Sequence, residues 1–294
     1  FRISSEVAAS DCANGDISFD GIDMPDRPHL SGVGASQEER DIFGLKDSVC
    51  VDNPSAGWRA TWKEKGKGFR MWMLSRSDRV EVANGPGQEM LSHAGHIGRR
   101  LRYVDTINRG QDLQSTFVAL HEPGGPRGKM PVLEATRLDL PKRAGKNAVA
   151  IKLVTNWGDY LILSECTSEV VVDGVRFKGK FGIYGKTRNG DPWLLTCGAE
   201  TLKSNEIGFE NAPARWSGGI TNITESWMKA DAPRPPGWKS SPESVTQYVR
   251  TKVGKYWTGF PVESVGRNRI NVERYPLQLC KKFELLEARY IGAR

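Results

Sequence analysis

No stretch of the sequence approaches the roughly 18 consecutive apolar residues of a membrane-spanning helix, so a helical span is excluded. Five cysteines (Cys12, Cys50, Cys166, Cys197 and Cys280) lie far apart and form no CxxC pair. Their odd number excludes complete internal pairing and leaves room for one or two bridges, so cysteine sets no compartment. Histidine is scarce, at four residues. There is no GxSxG elbow, no Walker loop, no HExxH helix and no dinucleotide fingerprint, and no cofactor is expected. No repeat of fixed period occurs. The chain opens on Phe1-Arg2-Ile3, with neither Met nor a basic-then-apolar leader. It therefore reads as a fragment or processed product whose original start lies upstream.

What is present describes a globular β protein. The 294 residues suffice for one large or two ordinary domains. Hydrophobic residues at 38% and charged residues at 26% fit a folded chain rather than a disordered one. The 32 glycines and 16 prolines favour many turns over a helical bundle. Charge is uneven: residues 1–57 carry 11 acids against 4 bases, and the remainder 38 bases against 24 acids. An isoelectric point near 9.1 admits nucleic acid, anionic lipid or acidic polysaccharide as partner. No zinc-finger, RRM or KH signature is present and bases alternate with acids along the strands, so neither nucleic acid nor membrane is the expected partner.

Period-2 alternation with β-branched and aromatic residues dominates. It predicts strands over 57–62, 68–74, 79–83, 101–108, 116–121, 131–138, 148–155, 157–163, 169–175, 175–184, 193–198 and 201–202. Turn chemistry separates them at 64–66, Asn84-Gly85, 123–126, Asp173-Gly174 and 188–191, the pairs Asp173-Gly174 and Asn189-Gly190 being hairpin signals. Residues 10–56 are acidic and weakly periodic, and read as a long loop region with short strands. A second break falls at 233–237, after which 244–257 reads equally as a short helix or a strand pair. The expected fold is all-β, a large antiparallel sandwich of supersandwich type with little helix. Residues 1–232 form the sandwich domain and 233–294 an extension whose strands complete it.

Chemistry-bearing residues are few. His93 and His96 form the one tight histidine pair, beside glycines, with no third or fourth ligand evident, so no metal site is assigned. His121 ends an apolar strand and reads as structural. Trp58, Trp62 and Trp72 sit at strand alternation and read as core. Trp216, Trp227 and Trp238 lie in a Gly/Pro-rich stretch, where packing of loops is the expected use and stacking on a ring the alternative. The run 93–103 adds Arg99, Arg100, Arg102 and Tyr103, where guanidinium groups could grip uronate or sulfate in bidentate fashion.

The segment 114–123, followed by 131–138, resembles the C-terminal β-sheet domain of heparinase II/III-like proteins, bacterial polysaccharide lyases and their relatives. The resemblance continues through 159–163, the hairpin 172–181 and the stretch 194–202, and covers roughly residues 1–205. Phe1-Arg2-Ile3 is similar to a family strand. Downstream, Asp11 is the one match in a step where the family places a histidine and an aromatic residue. In that family an (α/α) toroid pairs with the β domain and cleaves acidic polysaccharide by β-elimination. The chemistry needs a base for the proton α to the uronate carboxylate, a group that neutralises the carboxylate, and an acid for the leaving oxygen. The resemblance places most of those residues on the toroid, for which this sequence has no helical pattern, so no catalytic residue is carried over.

The resemblance implies the β-sandwich portion of a polysaccharide lyase acting on uronate-containing glycans, secreted or periplasmic, with an upstream toroid of the same parent protein as partner. The isolated chain is expected to be inactive. The alternatives are a non-catalytic carbohydrate-binding module and a structural or interaction sandwich. The candidate substrate-binding residues are His93, His96, Arg99, Arg100, Arg102, Tyr103, Trp216 and Trp238.

Overall fold

Alternating stretches bounded by Gly, Pro and Asx turns become antiparallel strands in the computed structural model. It describes residues 2–4, 16–24, 46–64, 67–86, 100–111, 113, 115–124, 129–238, 247–253, 255–273 and 280–292. Strand accounts for 64% of the structure and helix for 1%, so the chain is all-β, as its composition and alternation require. The one helical element among the described residues is a 3-10 turn over Lys142–Ala144. The chain divides into two units, one of residues 1–137 with 154–156 and the other of 138–153 with 157–294.

The N-terminal unit contains β1 (Arg2–Ser4), β2 (Asp16–Asp20), β3 (Lys46–Asp52), β4 (Trp58–Glu64), β5 (Lys67–Met73), β6 (Arg79–Pro86), β7 (Arg100–Ile107) and β8 (Ala119–Pro123). They form two four-stranded sheets, of order β1-β7-β6-β3 and β2-β4-β5-β8. Alternation turns Trp58, Ala60 and Trp62 of β4 and Phe69, Met71 and Met73 of β5 inward, against Val80, Val82 and Val104 of the other sheet. Two sheets sharing one apolar core make a sandwich. The acidic stretch 10–56 contributes β2 and β3, and its residues 25–45 lie outside the described residues.

Two stretches depart from their local sequence signals. Asn84-Gly85 is not a turn: the β6–β7 ladder runs through Asn84↔Arg102 and Gly85↔Leu101 to Pro86↔Arg100. A partner strand long enough to hold both residues overrides their turn preference. The strand expected over 116–121 begins instead at Ala119, because the Val118 N–H donates to Ser75 Oγ at 2.6 Å and leaves the ladder.

The second set comprises β9 (Val132–Leu138), β10 (Val149–Thr155), β11 (Gly158–Val172), β12 (Val175–Thr187), β13 (Pro192–Lys203), β14 (Gly208–Phe209), β15 (Arg215–Ile223) and β16 (Trp227–Ala230). It continues with β17 (Tyr248–Val253), β18 (Tyr256–Val265), β19 (Arg269–Val272), β20 (Lys282–Leu286) and β21 (Ala288–Gly292). A seven-stranded sheet runs β14-β13-β12-β11-β10-β9, with β21 beside β13. Asp173 and Gly174, at φ 52° and 78°, close the β11–β12 hairpin as the two left-handed residues of a tight turn. At the β12–β13 hairpin Gly190, at φ 88°, follows a turn closed by its N–H on Thr187 O.

Strands read separately at 157–163 and 169–175 are one strand, β11, whose register shifts between Cys166 and Val170. Gly198, at φ 66°, likewise joins 193–198 to 201–202 within β13. Leu161, Leu163, Val170, Phe177, Leu194 and Leu202 bury one face of this sheet. Cys166 is 1% exposed in the same cluster, where burial beside Glu165 pushes its thiol up to about 11 and keeps it protonated at neutral pH.

Six strands close a barrel of order β15-β16-β19-β18-β17-β20. The 244–257 window resolves as the β17–β18 strand pair. The division expected at 232/233 falls between β16 and β17, both strands of this barrel. Trp216, Met228, Val249, Ile270, Phe283 and Leu285 fill its interior. Trp216 meets Phe283 edge-on at 5.1 Å and Trp238 at 6.4 Å.

Candidate glycan-binding face

The segment Tyr248-Val249-Arg250-Thr251-Lys252 alternates with period 2. Val249 and Thr251 are fully buried in the barrel, and Tyr248 and Arg250 are exposed outside it. Across the ladder, Lys252 pairs with Trp257, Arg250 with Gly259 and Tyr248 with Pro261. Gly259 has no side chain to fill its place in the row, and the Arg250 guanidinium lies 5.1 Å from the Trp257 ring centre. Lys252 Nζ is 6.0 Å from the same ring, and Lys255 Nζ is 5.3 Å from the Tyr256 ring. Trp257 remains 40% exposed and Tyr256 68%. An indole ring flanked by cations thus faces solvent.

The other neighbour of β17 is β20, and there Lys252 stands directly opposite Lys282. Like charges opposite one another in a ladder destabilise the sheet, and an anion bound between them would relieve that repulsion. Arg250 stands opposite Glu284, but the Glu284 carboxylate is engaged with Arg215 at 3.7 Å. Among the described residues, Arg250, Lys252, Lys255 and Lys282 have no ion pair.

The seven-stranded sheet behaves otherwise. Lys152 pairs with Asp173, Lys178 with Glu200, Lys180 with Glu165, Lys186 with Glu206, Lys203 with Glu210, and Arg176 with both Glu169 and Glu210. These pairs neutralise the basic residues within the strand faces. A cavity of about 280 Å³ opens among Glu165, Lys178, Lys180, Glu200, Arg215 and Glu284, and its charges cancel in the same pairs. The rings of Tyr160 and Trp193, 5.7 Å apart, also lie on this sheet, but a Cβ at Gly185 would meet the Trp193 indole at 2.5 Å, so that ring is packed onto the backbone.

The residues singled out from sequence are distributed differently. His93, His96 and Arg99 lie outside the described residues. Arg100 and Arg102 are on β7, opposite Pro86 and Asn84. Tyr103 is 8% exposed and packs with Ala83. Trp216 and Trp238, at 2% and 7% exposure, are barrel core and present no ring to solvent. Trp227 is half-buried with Arg269 4.5 Å over its ring. Trp58 and Trp62 are core, as their alternation indicates, while Trp72, on the opposite face of β5 from Met71 and Met73, is buried against Arg59, Arg70 and Glu122. His121 meets Phe69 edge-on at 5.5 Å, a packing contact. Sequence reading missed the face of Tyr248, Arg250, Lys252 and Trp257. The alternation in 248–253 was its signal, hidden while helix and strand remained equal readings of that window. Among the described residues, no three His, Cys, Asp or Glu side chains are placed to hold a metal.

No protein family, curated protein or solved structure matches this chain.

Proposed function

We propose that the chain is an acidic-glycan-binding β module, the binding portion of a polysaccharide lyase of heparinase II/III-like type. In this reading the toroid and main catalytic set belong to another part of the parent protein, which acts outside the cell or in the periplasm. The observation that carries it is the barrel face, where Trp257 is exposed and Arg250, Lys252 and Lys282 have no carboxylate partner among the described residues. A uronate ring can stack on the indole while the guanidinium and ammonium groups hold its carboxylate.

Titration with heparin and alginate fragments tests the reading, with neutral dextran as control. Binding is expected to the acidic polymers alone and to weaken between low and near-physiological salt, because exposed charges are screened. Trp257→Ala, and Arg250→Ala with Lys252→Ala, should each weaken it by about tenfold or more, as losing a hot-spot ring or charge pair does. Unchanged affinity in both variants would remove this face from the argument.

The second expectation concerns turnover. In this reading the base, the neutralising group and the acid that β-elimination needs sit mostly on the toroid, outside these residues. The isolated chain should therefore produce no unsaturated uronate, read as the absorbance of the 4,5-double bond, from heparan sulfate or alginate. Sustained product formation by pure protein would place a complete site within these residues.

A further inference from the structure

At one end of the N-terminal sandwich, the loops β3–β4, β5–β6 and β7–β8 surround a cavity of about 790 Å³ whose lining includes Asn53, Arg76, Ser77, Asp78, Asn108 and Arg109. The loops are tied to one another through Asp78. Its backbone carbonyl accepts from Asn53 N at 2.7 Å, and its N–H donates to Ile107 O and Asn108 Oδ1, each at 3.0 Å. Its carboxylate accepts from Arg109 N at 2.6 Å. Asn108 Nδ2 in turn donates to Ser115 Oγ at 3.1 Å. This wall is preorganised by its own hydrogen bonds, so a ligand need not order it.

Three polar groups remain without partners. The Arg76 and Arg109 guanidinium groups make no ion pair or hydrogen bond among the described residues, and Asp78 is the one acid among the lining residues. Ser77, between Arg76 and Asp78 in the chain, is 7% exposed, and its Oγ is buried with no hydrogen-bond partner. A buried hydroxyl without a partner is uncommon in a native fold and calls for an explanation. Two unpaired guanidinium forks on one open cavity are the donor set of an oxyanion site, and the Ser77 hydroxyl beside them is closed to solvent.

We propose that this cavity binds an oxyanion, a sulfate, phosphate or carboxylate group either free or carried on a sugar of one or two rings. Arg76 and Arg109 hold the charge, and Asn53 lies at the wall for a ligand hydroxyl. The cavity volume lies in the range of small-molecule sites. The site lies in a different unit from the barrel face and does not depend on the glycan reading.

The test is calorimetric titration of the full chain at constant ionic strength with sodium sulfate, sodium phosphate, sodium glucuronate and neutral glucose. Saturable binding of at least one anion, and none of glucose, is the expected result. Arg76→Gln with Arg109→Gln should weaken that binding by about tenfold or more, since both charge-assisted contacts are lost. Trp257→Ala should leave it unchanged. Glucuronate tighter than the inorganic anions would identify a sugar-borne group, and the reverse order a free anion. No saturable binding of any of the three anions, or equal affinity in the folded double-arginine variant, overturns the proposal. Loss of glycan binding in Trp257→Ala with anion binding intact would separate this site from the barrel face.

Discussion

Glu122→Ala should destabilise the N-terminal unit by about 3–5 kcal/mol, as breaking a buried ion pair from one side does. The Glu122 side chain is 2% exposed. One of its oxygens accepts from Arg70 Nε at 2.7 Å and from Trp72 Nε1 at 3.0 Å, and the other accepts from Val132 N at 2.6 Å. Arg70 also donates to the Val132 carbonyl. Removing the carboxylate leaves a guanidinium, an indole N–H and a backbone N–H without their acceptor in a site closed to water. Each orphaned donor then contributes its own desolvation penalty.

The same charge sets the environment of Trp72, whose ring lies between Arg59 and Arg70, each 4.7 Å from its centre. Burial and Arg70 push the Arg59 pKa below its ordinary value, while Glu122 acts in the opposite sense. Without Glu122 the Arg70 guanidinium would face the indole uncompensated, whereas Arg59 would keep Asp20 as its ion-pair partner. Glu122→Gln keeps one carbonyl acceptor and the shape, and should cost about 1–3 kcal/mol. Thermal unfolding should place the Ala variant roughly 10 °C below the parent. A loss under about 1 kcal/mol would show that this carboxylate does not hold Arg70 and the Val132 backbone in place.

Gly179→Ala should cost a comparable amount, about 3–5 kcal/mol, from overpacking and backbone strain together. Gly179 lies inside β12 at φ 151°, where its register with β13 shifts. A Cβ there would fall 2.4 Å from Ala199 Cα and 2.7 Å from Gly198 O. Those are backbone atoms of a neighbouring strand, so no side-chain rotation relieves the clash. Gly174→Ala supplies the contrast. That residue has φ 78° and nothing within 4 Å of the added Cβ, so it should lose only about 1–2 kcal/mol of backbone strain. Urea denaturation of the two variants separates the effects. Equal losses would mean that conformational strain, not the approach of β13, sets the requirement for glycine at 179.

The amino-acid sequence alone determined that the protein is a β protein and where most of its strands lie. Alternation such as Trp58-Ala60-Trp62 and Leu161-Leu163 marks a buried face directly, since side chains in a strand point to opposite sides in turn. Asp173-Gly174 was legible as a hairpin because few residues other than Asx and Gly adopt two successive left-handed conformations. The break read at 164–168 was also a true signal, but of a shifted register inside β11 rather than of a strand end. Periodicity loses phase equally at a bulge and at a turn, and only the partner strand distinguishes them.

Tertiary structure decided what no single stretch encodes. Whether a strand tryptophan is core or platform depends on which side of a closed barrel it faces, so Trp216 went inside while Trp257 stayed exposed. Whether a lysine is neutralised depends on the residue across the ladder. Lys180 has Glu165 as its partner, whereas Lys252 faces Lys282, more than two dozen residues along the chain. The cavity of Arg76, Ser77 and Arg109 is assembled from loops that meet only because two sheets share one core. Local alternation is written residue by residue, but ligand-facing charge arises from pairings between distant strands, and the fold alone makes those.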